Sequence, residues 1–340
     1  MTPLDTVDDV TLADVPAIEG LRFRRFRDAS DWAPLAALQK AVAIADEDDE
    51  IQSPENLRIE VENKPGFRIE RDMLIAEVDG RIVGEASGTA SIRDGYPVHY
   101  LSGRVHPDWR RRGIGRALFR WNERRARERA AAEPEVAGPG AILGAWASEF
   151  EPGAQSLYAS EGYGVVRYAF TMIQRHVQEA TAVPMPEGLE IRPVTPEQHR
   201  AIFEADDEAF RDHFEHRAAT EKDFVAIFTQ PDLDTSLWQV GWDGDEVAGS
   251  VQTWIWKEEN DTLGTKRAWL ESVSVRRPWR RRGLGRALIA ASLVDLRQRG
   301  IEAALLGVDA ENPTGALGLY EGLGFEVKVR AMSYRKPLET

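Results

Sequence analysis

Apolar and polar residues alternate along this chain in two sets of short segments, and the second set repeats the order of the first. Leu21-Arg-Phe-Arg-Arg-Phe26 alternates as a strand does and leads into a helical stretch after Asp31. Leu189-Glu-Ile-Arg-Pro193 alternates likewise, and its helix starts near Pro196, since proline suits a first helical turn. Each half then predicts a second short helix, near Pro54–Asn63 and near Glu221–Thr229. A hairpin follows in each. The first is Met73–Val78, Asp79-Gly80 and Arg81–Ile92; the second is Leu237–Trp242, Asp243-Gly244 and Glu246–Trp256. Asp-Gly between apolar runs is a strong hairpin signal.

A further strand, Tyr100–Val105 or Trp269–Val275, runs into a turn rich in Arg and Gly. The helix after it keeps apolar residues three or four apart, as at Leu284, Ala287, Leu288, Ala291 and Val294. Another strand (Ala141–Ala147 or Ala303–Val308) and a short helix carrying Leu157-Tyr158 or Leu319-Tyr320 follow. Gly162-Tyr-Gly164 or Gly322-Leu-Gly-Phe325 then precedes a final strand that closes each half. The turn itself is almost duplicated. Trp109–Leu118 returns as Trp279–Leu288 with one Ile/Leu difference, 170 residues later in a chain of 340. A repeat that long is a whole domain present twice, not a solenoid unit of roughly 20–50 residues. The expected fold class is α/β (α+β), with domains at 1–180 and 181–340. Val177–Pro186 reads as the linker, and Ala130–Gly140 as a loop found only in the first copy.

Composition narrows the function. Hydrophobic residues make up 42% of the chain, enough for two ordinary cores. No run approaches the roughly 20 apolar residues of a membrane helix, and the acidic N-terminus lacks a signal-peptide core. With no cysteine, thiolate metal sites and Cys nucleophiles are excluded, and a cytoplasmic protein is expected. No metal is expected either: the histidines show no ligand spacing, and His213 and His216 stand as an isolated pair. A net charge of −14 argues against nucleic acid and anionic membranes as partners.

The arginines gather instead at the two turns. Gly113 and Gly115 let the backbone approach phosphate oxygens, and the helix starting there adds its positive end. Arg110, Arg111 and Arg112 add charge; Arg280, Arg281, Arg282, Gly283 and Gly285 repeat the arrangement. No Gly-Lys-Ser/Thr makes this a P-loop, and Gly-x-Gly followed by Arg-Ala-Leu is not the Rossmann fingerprint. Arg-x-x-Gly-x-Gly after a Val-x-Val strand resembles the acyl-CoA-binding motif of the GCN5-related N-acetyltransferase (GNAT) superfamily. A second motif, Asn312…Leu319-Tyr320…Gly324-Phe325, resembles that family's downstream signature. Together the motifs cover nearly the whole chain as two tandem domains.

The resemblance implies, for each half, a mixed and mostly antiparallel twisted sheet flanked by helices, with acetyl-CoA as cofactor. It implies cofactor contacts from Val273, Ser274, Val275, Arg280, Arg281, Arg282, Gly283, Leu284, Gly285, Arg286 and Asn312. In the first half the matching positions are Val105, Arg110, Arg111, Arg112, Gly113, Ile114, Gly115, Arg116 and Tyr158. It also implies direct attack of an amine on the thioester, with a backbone N–H near Val273–Val275 polarising the carbonyl and Tyr320 as the acid for the leaving thiolate. Glu271 is the candidate base. Side-chain alternation puts it on one face with Val273 and Val275 unless a bulge intervenes.

The first half departs from the pattern. Aligning Trp109 with Trp279 sets Leu101 opposite Glu271, and no Asn matches Asn312. The second half is therefore the expected catalytic one, while the first binds CoA without turnover or uses a base the sequence does not reveal. The acidic cluster Glu204, Asp206, Asp207 and Glu208 reads either as a site for a cationic small-molecule amine or as a solvated helix face. Trp238, Trp254, Trp256 and Trp269 read as an acceptor wall or as interdomain packing. Alternatives are a mycothiol-synthase-like role, since those enzymes are also tandem members, and a non-catalytic acyl-CoA-binding module. The tandem halves are expected as a pseudo-dimeric monomer or as a homodimer.

Overall fold

Two-residue turns organise both sheets. In the computed structural model, which describes residues 9–311 and 315–339, Asp79 and Gly80 have φ of 49° and 83° between the paired residues Val78 and Arg81. That is the type I′ turn, whose twist matches the strands it joins. The second hairpin turns one residue later than expected. Asp243 pairs with Glu246, so Gly244-Asp245 forms the turn, with Gly244 alone at positive φ (57°). A third Asp-Gly turn, Asp94-Gly95 (φ 47° and 89°), went unread in the sequence and joins Arg93 to Tyr96.

The chain forms two compact units. Unit 1 contains β1 (Leu21–Arg24), α1 (Trp32–Ala45), α2 (Pro54–Glu62), α3 (Ile69–Asp72), β2 (Met73–Val78), β3 (Arg81–Arg93), β4 (Tyr96–Val105), α4 (Ile114–Ala132), β5 (Ile142–Ser148) and α5 (Pro152–Ser160). The chain crosses into unit 2 within β6 (Gly164–Gln174). Unit 2 then holds β7 (Glu190–Arg192), α6 (His199–Phe210), α7 (Glu221–Phe228), β8 (Gln239–Asp243), β9 (Glu246–Trp254), α8 (Lys257–Leu263), β10 (Arg267–Val275), α9 (Leu284–Gln298), β11 (Ala303–Asp309) and α10 (Ala316–Glu321). The chain returns to unit 1 after Ala331, within β12 (Glu326–Pro337). No helix among the described residues is long and apolar enough to cross a membrane.

The expected boundary between residues 180 and 181 is therefore corrected. Unit 2 runs from Arg167 to Ala331, and unit 1 comprises the rest. The physical reason lies in what Val177–Pro186 does. Val177 is fully buried in the core of unit 2, Gln178 donates to the Ile301 carbonyl at 2.8 Å, and Arg297 donates to the Ala180 carbonyl at 2.6 Å. The segment is anchored, not a linker. Upstream, Ala169–Gln174 pair with Ala304–Asp309 of β11, so the strand expected to close the first half completes the second sheet. Conversely, the end of β12 belongs to unit 1. Tyr334 is buried against Tyr158 with ring centres 5.2 Å apart, and the Leu338 N–H donates to the Ala141 carbonyl.

Within each unit the order is the same. Unit 1 runs β1-β2-β3-β4-β5 and then the end of β12, with β4/β5 parallel and β1/β2, β2/β3 and β3/β4 antiparallel. Unit 2 runs β7-β8-β9-β10-β11-β6, parallel only at β10/β11. The long helix after each Arg/Gly turn covers one face. Leu284, Leu288, Leu293 and Leu296 of α9 bury against Leu270, Ala304 and Leu306, and Ile114, Leu118 and Trp121 of α4 bury against Leu74, Val83 and Ala86. A strand contributed from the far end of the chain should matter to unit 1. Tyr334→Ala removes a buried ring and is expected to destabilise that unit by about 3 kcal/mol, read by urea denaturation. An unchanged midpoint would mean the C-terminal strand is dispensable to unit 1.

Candidate acyl-transfer site

In unit 2 the parallel pair is short. Only Arg267–Trp269 and Ala303–Leu305 pair. Beyond them β10 stays with β9 and β11 stays with β6, so a fork opens between β10 and β11. Backbone groups facing this fork have no strand partner, which suits an extended, amide-bearing molecule. Unit 1 forks in the same way after Tyr100 and Gly144.

Glu271 sits at the mouth of the unit 2 fork, and it arrives there by a bulge. Leu270 pairs with Thr253 and Ser272 with the next residue, Gln252, leaving Glu271 without an opposite residue. Side-chain alternation reverses at that point. Ala268 and Leu270, then Val273 and Val275, all pack on the α9 core. The expected common face for Glu271, Val273 and Val275 is thus corrected: the extra residue breaks the alternation. Glu271 accepts a hydrogen bond from Trp256 Nε1 at 2.7 Å. It keeps contact with solvent, yet the surrounding cleft desolvates its charged form and raises its pKa, opposed by the Trp256 hydrogen bond. Trp256 is itself held by stacking on Trp254, 4.8 Å away.

Unit 1 has no such bulge. β3 and β4 pair without interruption from Gly84/Val105 to Arg93/Tyr96. Matching the parallel pairs, Tyr100 with Trp269, makes Leu101 the counterpart of Leu270 and Ser102 that of Ser272. Leu101 does not stand opposite Glu271; Glu271 is an additional residue. Two positions further on, the paired Ser250 and Ser274 of unit 2 correspond to Glu85 and Arg104 of unit 1. There Arg104 bridges Glu85 (3.2 Å) and Glu50 (3.3 Å).

The Arg/Gly turns have one conformation in both units. Arg111 and Arg281 adopt φ of 60° and 59°, and Gly113 and Gly283 φ of 92° and 87°. Left-handed residues in alternation turn successive N–H groups to one side. The first helical amides to be satisfied are Ala117 and Ala287, which donate to Gly113 and Gly283. The amides of residues 111–116 and 281–286, among the described residues, donate to no protein acceptor. Such a cradle at a helix N-terminus fits a pyrophosphate.

The arginines of the turn divide their work. Arg280 donates to the carbonyls of Val275 and Ala209 and to Asp212 at 2.6 Å, tying the turn to the end of α6. Arg110 does the same with Val105 and Asp46. Arg116 pairs with Glu161, Arg286 with the Gly322 carbonyl, Arg282 with the Glu187 carbonyl at 3.4 Å, and Arg112 lies over Trp109. Arg111 and Arg281 make no such contact and remain exposed.

Tyr320 is buried on α10 beside Phe325, its ionisation pushed up to about 12 by burial alone, and its hydroxyl bonds to no described residue. Tyr158 is packed among Phe119, Tyr163 and Tyr334, and burial raises its pKa too. Asn312 lies outside the described residues. Of the acidic cluster, Glu204 is exposed and Glu208 pairs with Arg276. Asp206 points to the fork strand instead, accepting from Ser272 Oγ at 2.6 Å, and burial raises its pKa against that bond. Sequence reasoning named Asp206 only as one of four acidic residues; its helical spacing from the buried Ile202, Ala205 and Ala209 is the signal that singles it out. The four tryptophans are used inside unit 2: Trp238 and Trp254 in its core, Trp256 on Glu271, and Trp269 on Glu259.

If Arg280 is a clamp and Arg281 is not, their truncations should differ. Arg280→Ala is expected to lower stability by about 1–2 kcal/mol and Arg281→Ala by less than about 0.5 kcal/mol, measured by denaturation. Equal losses would remove the distinction.

Comparison with known proteins agrees with this geometry. The description "Acetyltransferase (GNAT) family" matches residues 199–325, and "Acetyltransferase (GNAT) domain" matches residues 70–165. A mycothiol acetyltransferase of Salinispora arenicola is 30% identical over 88% of this chain and 91% of its own length. Another from Thermomonospora curvata is 35% identical over 68% of this chain and 72% of its own. The crystal structure of a GCN5-related N-acetyltransferase from Sphaerobacter thermophilus superposes with a TM-score of 0.69 at 26% identity, covering 97% of this chain and 98% of that one. A tandem GNAT protein from the clavulanic acid biosynthesis pathway shares the fold at 18% identity, with a TM-score of 0.66 over 94% of this chain and 99% of its own. The chain therefore belongs to the GNAT family of acetyltransferases, as a member with two such domains in tandem.

Proposed function

We propose that unit 2 transfers an acetyl group from acetyl-CoA to the primary amine of a small molecule by direct attack. The observation that carries this reading is Glu271, held by Trp256 on a bulge at the mouth of the β10/β11 fork. Acetyl-CoA supplies an activated thioester. The amides of 281–286 hold its pyrophosphate, assisted by Arg281, and the fork receives its extended arm. Glu271 takes a proton from the incoming ammonium, directly or through water. An N–H near Val273–Val275 polarises the thioester carbonyl as the C–N bond forms and the C–S bond breaks. Tyr320, with its ionisation raised by burial, stays protonated at working pH and donates to the departing sulfur.

A narrower reading is mycothiol acetyltransfer. It is favoured by the similarity, at 30% identity across 88% of the chain, to a protein of that name. Turnover of the cysteinyl-glucosamine-inositol amine in preference to other amines is the outcome that would establish it.

Three outcomes test the mechanism. Glu271→Gln should lower kcat by roughly 10²–10⁴-fold while acetyl-CoA still binds in a calorimeter. The wild-type kcat should fall at low pH, because the base is active only above its pKa. That limb should lie above the usual carboxylate range, since burial raises Glu271, and it should vanish in Glu271→Gln. A profile shared by both proteins would exclude Glu271 as the base.

The two cradles predict two acetyl-CoA per chain by calorimetry. Asp repels phosphate and, at these positive φ values, strains the cradle as any side chain would, so Gly113→Asp and Gly283→Asp should each remove one site. A wild-type stoichiometry of one, abolished by only one of these changes, would show a cradle that does not bind.

A further inference from the structure

A cavity of about 200 Å³ lies between α6 and α7 and reaches β9. Phe203, Phe210 and Phe228 wall it, and Asp206, Asp207 and Asp223 line it as well. It meets the fork strand at one place. Asp206 accepts from Ser272, the residue after Glu271, and Gln252, which pairs with Ser272, also lines the cavity.

The carboxylates in it are not equivalent. Asp223 is matched by Arg217 at 2.7 Å. Asp207 faces His216 at 3.2 Å and takes the Ala219 N–H at 2.8 Å. Asp206 is held by hydroxyl groups, Ser272 and Ser274, and no cation among the described residues pairs with it. A carboxylate removed from bulk water without a countercharge is unfavourable until a cation arrives. Unit 1 supplies its own cation on the matching strands, where Arg104 bridges Glu85 and Glu50.

We propose that the acceptor of unit 2 is a small primary ammonium with an apolar or aromatic body, its charge on Asp206 and its body against Phe203, Phe210 and Phe228. This inference rests on the reading of unit 2 as an N-acetyltransferase. Phenyl faces attract an ammonium as well as bury hydrocarbon. At about 200 Å³ the cavity is smaller than the roughly 300–1,000 Å³ of drug-sized sites, so the body it holds is near one ring in size. Amines that also carry a carboxylate are disfavoured, because Arg217 and His216 already serve Asp223 and Asp207. Amino sugars are disfavoured because Phe203, Phe210 and Phe228 leave hydroxyls on that side without partners, so this acceptor is an alternative to the sugar-bearing amine of the mycothiol reading.

The test uses the full-length protein, acetyl-CoA and a thiol reagent to follow CoA release with 2-phenylethylamine, phenylalanine and glucosamine. The first should exceed the others in kcat/KM by roughly tenfold or more. Asp206→Asn should raise KM for 2-phenylethylamine roughly 10- to 100-fold, leaving acetyl-CoA affinity unchanged. A preference for glucosamine or phenylalanine, or an unaltered KM in Asp206→Asn, would overturn the proposal while leaving acetyl transfer intact. If none of the three amines releases CoA although acetyl-CoA binds, the proposed acceptor is overturned as a substrate while acetyl transfer to a different amine still stands, and calorimetry with 2-phenylethylammonium decides the cavity as a cation site. Binding lost in Asp206→Asn would sustain the cation site, and no binding to the wild type would end it.

Discussion

The site in unit 2 depends on one additional residue in one strand. A regular β10 pairs with β9 and sends alternate side chains to opposite faces. Inserting Glu271 between Leu270 and Ser272 keeps Leu270 and Val273 on the α9 core while adding a side chain at the fork. Without the bulge, either the core face or the fork face would carry the wrong residues. The same insertion brings Ser272 next to Glu271 and under α6, so Asp206 is hydrogen-bonded beside the candidate base. Glu271, the cavity between α6 and α7 and the fork thus share a single backbone irregularity.

The two units show which parts of such a site tolerate divergence. The cradle is built mainly from backbone: positive φ at Arg111 and Gly113, or at Arg281 and Gly283, and unshared amides at a helix start. Its fixing contact is also repeated, with Arg110 on Asp46 and Arg280 on Asp212. The strand face beside it is built from side chains, and there the units part. Where unit 2 has Ser250 and Ser274 near a carboxylate without a cation, unit 1 has the ion pairs of Arg104. Phosphate binding asks for geometry that many sequences can provide. Acceptor binding and proton transfer ask for particular charges in particular places.

That division explains how much the sequence disclosed. The duplicated turn, the Asp-Gly hairpins and the order of elements were legible because they are local: spacing, glycine and turn chemistry decide them. The bulge was not. An alignment anchored on Trp109 and Trp279 sets Leu101 against Glu271, because it has no means of knowing that β10 carries one residue more than β4 between its parallel pair and the turn. Only pairing with the parallel neighbours reveals it. The exchange of closing strands was hidden for the same reason. Ala169–Gln174 and Met332–Pro337 alternate as strands wherever they pair, and their partners are far away in sequence.

Arginine gives the sharpest case of a residue type that misleads when read alone. Three consecutive arginines beside glycines read as three phosphate ligands. In the fold, the first must satisfy carbonyls at Val275 and Ala209 and a carboxylate at Asp212 before the turn can hold its shape. Its guanidinium, with five donors in a planar fork, suits that clamp better than a lysine would. The second, at positive φ, is exposed and makes no contact with a described residue, which leaves it free for the phosphate proposed to sit in the cradle. Position within the turn, and not charge, decides which arginine supports the fold and which is available to a ligand.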